Sequence, residues 1–147
     1  MRIFSPEFEN NQKIPARYTC DGENFNPPLG IEDIPESAKS LALIMHDPDA
    51  SAGDWTHWMI WNIDPKFQDI DENSVPPGAV AGMNESGSMG YEGPCPPSGM
   101  HRYTFTLYAL DQQLDLDPNL VDRDDLEEAM QGRILDKAVL VGMYGRE

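Results

Sequence analysis

Residues 101–111 read HRYTFTLYALD, and the period of this stretch decides the kind of fold. Side chains alternate across a strand, so His101, Tyr103, Phe105 and Leu107 fall on one face. They form an apolar row with a histidine at its leading end. Three more stretches read as strands. SLALIMHD (40–47) is a nearly continuous apolar run that ends on Asp47. THWMIWNID (56–64) is rich in aromatics and closes on Asp64-Pro65, and AVLVGMYG (138–145) comes last. Short apolar runs bounded by turn formers point to strands rather than helices.

The rest of the chain is read around these four. Short strands are expected near Ala16–Cys20 and Leu29–Ile31, while Pro27-Pro28 forbids a central strand between them. One helix is expected over about 122–135. Asp122 is a good N-cap with an acidic first turn behind it. Leu126, Ala129, Met130 and Ile134 make one apolar stripe, and Arg133 and Lys137 sit at the favourable far end. Residues 65–99 are rich in Pro, Gly, Ser and Asn and read as one long loop, the kind that usually carries function.

Composition sets the bounds. A chain of 147 residues fits a single domain, 1–147, which buries roughly two-thirds of its unfolded surface. With 39% hydrophobic and 9% aromatic residues it is not of disordered composition. No run approaches the roughly 18 apolar residues of a membrane span. The opening MRIFSPEFEN lacks the apolar core of a signal peptide, so a soluble cytoplasmic protein is expected. Acidic residues number 26 against 10 basic ones, for a net charge of −16. That excludes the basic stripe a nucleic-acid binder needs and disfavours anionic membranes; it reads as an acidic coat. The two cysteines, Cys20 and Cys95, match no zinc spacing. In a cytosolic protein they would stay reduced, although a bridge between them is open if their loops meet.

The strand faces bring chemistry together. Leu41, Leu43, Met45 and Asp47 share one face, and His57, Met59, Trp61 and Ile63 share another. The polar residue comes last in the first strand and first in the other two. If the first runs antiparallel to the others, Asp47, His57 and His101 meet at one end of the sheet, over an apolar, aromatic floor. His46 belongs to the opposite face. Each piece has a plain alternative: Asp47-Pro48-Asp49 as a simple turn, Trp61 and Tyr103 as core. A hydrolase using Asp47, His57 and His101 is also conceivable, yet no local metal or nucleophile motif accompanies them.

DPDA after an apolar strand, then WTHWMIWNI, then GPCPPSGMHRYTFTLYALD, resembles the phosphatidylethanolamine-binding protein family, and its short Raf-kinase-inhibitor-like bacterial and archaeal branch in outline. The resemblance runs from YTCDGENFNPPL to LVGMYG. It implies a large, mainly antiparallel sheet packed on a smaller one, with flanking helices. It implies an anion or phosphorylated head-group pocket formed by Asp47, His57, Gly93, Pro94 and His101, with Tyr103 nearby. Gly93 would let the backbone approach the phosphate. The resemblance also implies a topology that brings the 20 and 95 loops together. Binding without catalysis, without cofactor or metal, is expected, with inhibition of a kinase or protease as an extension. The alternative is a protein-interaction module that works through the pocket rim. Histidines of ordinary pKa, about 6.5, would make anion affinity fall above about pH 7.

Overall fold

The computed structural model describes residues 1–146. Its strands are β1 (Arg2–Phe4), β2 (Gln12–Lys13), β3 (Leu29–Glu32), β4 (Ser40–Asp47), β5 (Trp55–Ile63), β6 (Asp69–Ile70), β7 (Val80–Ala81), β8 (Gly99–Leu110) and β9 (Ile134–Arg146), with one α-helix, α1 (Arg123–Met130). They build two sheets. The larger has the order β2-β9-β8-β4-β5-β7, and the smaller β1-β3-β6. β4 runs antiparallel to both β5 and β8, as convergence of the three polar strand ends requires. Among the described residues only β2 pairs parallel, against β9.

Period two explains the two cores. From β4, Leu41, Leu43 and Met45 join Phe105 and Leu107 of β8 and Ile3, Leu29 and Ile31 of the small sheet. The alternate residues Ala42 and Ile44 face the other way and pack under Leu126 and Met130 of α1. A strand buried on both faces carries an unbroken apolar run, which is why SLALIMHD hardly alternates.

Four expectations change. Residues 16–18 form a 3-10 turn rather than a strand. The helix is shorter than 122–135. Asp122 is its N-cap, with a reciprocal capping box to Asp125, but the chain turns out at Gly132, whose φ is +76°. Arg133 and Ile134 lie beyond it, and Ile134 opens β9. Tertiary pairing decides this end: β9 matches β8 from Leu110↔Ile134 to Gly99↔Arg146, and that ladder outweighs local helix propensity. The 65–99 stretch is not a bare loop either, since it contributes β6 and β7.

The fourth change is in β5. Met45 pairs with Trp58, but His46 pairs with Thr56, so His57 is an extra residue in the ladder. The bulge breaks alternation: Trp58 joins the inter-sheet core, whereas Met59 and Trp61 lie on the helix side. The expected row of His57, Met59, Trp61 and Ile63 is therefore not a row, and a second register shift, between Leu41 and Leu43, leaves Ile63 in the inter-sheet core. A bulge re-aims one side chain, and here it sends His57 to the side of the sheet that Asp47 occupies.

Candidate functional site

Asp47, His57, Gly93, His101 and Tyr103 line one cavity of about 270 Å3 at the sheet end where β4 stops and β5 and β8 begin. Asp47 is 3% exposed, and both of its oxygens are used. Oδ1 accepts the Asp49 N–H at 2.8 Å, and Oδ2 lies 2.6 Å from His101 Nδ1. The DPD segment is thus a turn closed by its own side chain and an orienting carboxylate at once. The plain and the chemical readings of Asp47-Pro48-Asp49 both hold.

His57 is 7% exposed. Its Nδ1 lies 2.7 Å from the Glu92 carbonyl oxygen. A carbonyl only accepts, so Nδ1 carries the proton and Nε2 is the ring nitrogen left for a ligand. Burial pushes the His57 pKa below the ordinary histidine value, against the pull of the Glu92 carbonyl and of Asp47. Tyr103 is wedged between the imidazoles. Its ring meets His57 edge-on at 5.3 Å and stacks with His101 at 6.3 Å. Burial raises its phenol pKa, and the Asp47 charge adds to the shift.

The proline-rich rim is fastened from behind. Cys20 and Cys95 are disulfide-bonded, their Cα atoms 5.4 Å apart, and Cys95, Pro96 and Pro97 line the cavity. One expectation about this rim is corrected. Pro94 is buried behind it, its carbonyl accepting the Cys20 N–H at 3.1 Å, and it does not line the cavity. Gly93 lines it, but its N–H already donates to Asn24 Oδ1 at 2.9 Å. A Cβ there would stand 2.3 Å from the Tyr18 carbonyl oxygen. Glycine is required here for packing against the 18–24 loop.

Several contributors were not legible beforehand. Glu92 acts through its carbonyl, and a backbone acceptor has no residue signature. Its side chain also lines the cavity and accepts a hydrogen bond from Ser86 Oγ. Asp49 takes three hydrogen bonds from Arg102, including Nε at 2.9 Å and the second guanidinium nitrogen at 2.8 Å. The Arg102 guanidinium holds the Asp49 carboxyl down to about 2. This clamp ties the DPD turn to the start of β8; the adjacency of Asp49 to Asp47 and of Arg102 to His101 was the available signal. Trp55, Ala50, Ser51 and Ala52 complete the wall. His46 stays outside, 2.7 Å from Asp54.

Comparison with known proteins agrees with this architecture. The family model described as phosphatidylethanolamine-binding protein matches residues 4–145. A UPF0098 protein of Methanothermobacter thermautotrophicus is 51% identical, with 99% of each chain covered. The crystal structure of a phosphatidylethanolamine-binding protein homologue from Chlamydia trachomatis superposes with a TM-score of 0.94 at 39% identity, covering 99% of this chain and 97% of that one. Escherichia coli YbcL, described as a member of the mammalian PEBP family, gives a TM-score of 0.92 at 26% identity, covering 99% and 98%.

Proposed function

Since the chain belongs to the phosphatidylethanolamine-binding protein family, we propose that its histidine cavity binds a small phosphate-like anion or phosphorylated head group, without turnover. The observation that carries this reading is the pair of pinned imidazoles. His57 Nδ1 is committed to the Glu92 carbonyl and His101 Nδ1 to Asp47, so each ring keeps Nε2 for the space they share. Asp47 and Glu92 put carboxylates in the same lining, but both are hydrogen-bonded, to His101 and Asp49 and to Ser86 respectively. A zwitterionic ligand fits this set: phosphate towards the histidines, ammonium towards Glu92.

The depressed His57 pKa has a consequence. Neutral His57, with its proton on Nδ1, offers a lone pair at Nε2, which repels a fully ionised phosphate oxygen. Binding must then take up a proton, on the ring or on the phosphate. The affinity contributed by His57 rises as pH falls below about 6.5, a lower window than unperturbed histidines would give. The stability sign is opposite. Neutral buried His57 contributes stability that is fully present above about 6.5 and is lost as pH falls through its lowered pKa. Titration calorimetry with phosphoethanolamine, in buffers of differing ionisation enthalpy at pH 6, 7 and 8, tests this. Binding with net proton uptake, strongest at the lowest pH, is expected. Absence of binding at every pH would refute the reading.

A further inference from the structure

The wall of the histidine cavity that runs from Gly93 to the start of β8 has little regular structure. Cys95, Pro96 and Pro97 line the cavity, yet among the described residues no backbone hydrogen bond outside the strand ladders reaches residues 95–98. Upstream, the 18–24 loop holds the segment through the Pro94 carbonyl and the Gly93 N–H. Beyond Pro94 the tie is the bridge from Cys95 to Cys20. The bridge therefore sets where this wall stands.

Its two sulfurs are not equivalent. Cys95 is exposed, whereas Cys20 is half-buried. The Arg146 guanidinium lies against Cys20, with Nη2 at 3.1 Å from Sγ. That guanidinium is held independently of the bridge. It donates to the Asp21 carboxylate through Nε and Nη2, and the Tyr144 hydroxyl donates to the same carboxylate at 2.6 Å. The Arg146 backbone pairs with Gly99 at the end of the β8–β9 ladder. A cation beside a cysteine favours its thiolate, and the more stable thiolate departs faster in thiol–disulfide exchange. Access and leaving-group chemistry thus select one direction: attack on Cys95, departure of Cys20.

We propose that the bridge is a redox latch on the cavity wall, opened by a dithiol reductant and closed by a disulfide oxidant in the reverse steps, with anion affinity high in the bridged form; this rests on the anion reading above. A thiolate of the reductant bonds to Cys95 Sγ as the Cys95–Cys20 bond breaks, and the electron pair leaves on Cys20 Sγ beside Arg146. The second thiolate of the reductant then attacks its own sulfur in the mixed disulfide and releases Cys95. The reductant becomes a disulfide and two electrons pass to the bridge; of its two protons one ends on Cys95 and one in solvent. Opening should cost roughly tenfold in affinity, the scale of re-ordering one residue of backbone. By linkage the bound anion resists opening by the same factor, which for a two-electron couple is about 30 mV.

The test places the full chain in dithiothreitol redox buffers, with and without saturating phosphoethanolamine. The reduced chain is expected to keep its sheet by circular dichroism and to bind about tenfold more weakly by calorimetry. The ligand should lower the midpoint potential by about 30 mV. Glutathione with iodoacetamide present should leave glutathione on Cys95 and the alkyl group on Cys20, read by peptide mass spectrometry. Arg146→Gln should slow reduction several-fold, and Arg146→Lys, which keeps the cation, should restore most of the rate. Equal affinity of the bridged and reduced chains, an unshifted potential or glutathione on Cys20 overturns the proposal, and so does a reduced chain that unfolds. A bridged chain that binds no phosphoethanolamine overturns the anion reading instead and leaves the latch to NMR. Reduction must then move the resonances of Trp55 and His57, which line the cavity, and spare those of Leu43 and Phe105 in the core. Unmoved Trp55 and His57 resonances overturn the latch itself.

Discussion

At the scale of single residues the cavity is governed by what holds each imidazole. Asp47 is the residue with two duties, closing the 47–49 turn through Oδ1 and holding His101 through Oδ2. Asp47→Asn separates them. The amide oxygen can still accept the Asp49 N–H, so the turn survives. The charge on the oxygen that faces His101 Nδ1 at 2.6 Å is gone. Losing one charge-assisted bond costs about 1.5–3 kcal/mol, so affinity for phosphoethanolamine should fall roughly tenfold or more. The melting temperature should shift by only a few degrees. A variant that unfolds while the folded fraction binds with unchanged affinity would show that Asp47 serves the fold and not the site.

At the scale of elements, much of the site was legible and the illegible part has identifiable causes. Asp47, His57 and His101 could be brought together because period two and the order of polar and apolar residues fix which strand end each occupies. The bulge at His57 could not be read, because an extra residue in a ladder shows only in the pairing with β4. Its effect was nonetheless large, since Met59 and Trp61 moved to the helix side. The end of α1 was misplaced for a related reason: Ile134 continues the helical stripe but gains a partner in Leu110 by joining β9. The rim is the element with the least regular structure, and the Cys20–Cys95 bridge spans 75 residues of chain. Closing a loop of that size stabilises by roughly 4 kcal/mol in the chain-entropy model. Replacing both cysteines by serine should therefore lower the melting temperature clearly and weaken anion binding, as the Cys95–Pro97 wall loosens. Thermal unfolding and calorimetry on the double variant check this. Unchanged values in both would mean that the bridge only decorates a rim already fixed by the Cys20 N–H to Pro94 bond and by Gly93 packing.

At the scale of the whole molecule, an anion cavity sits in a chain of net charge −16, so the long-range field opposes the ligand and the attraction is local. Salt screens exposed charges beyond about 8–10 Å and buried contacts much less. Phosphoethanolamine affinity should therefore stay flat or rise slightly from low to physiological ionic strength, in a buffer whose anion does not compete. No helix among the described residues is long and apolar enough to cross a membrane.

The central claim is that the two pinned imidazoles make the cavity an anion site, and the most direct measurement is the affinity of the His57→Ala, His101→Ala double variant for phosphoethanolamine. Each lost charge-assisted bond is worth about 1.5–3 kcal/mol, so the pair should lower affinity by roughly a hundredfold or more, with the sheet intact by circular dichroism. A folded double variant that binds as tightly as the parent would contradict the account.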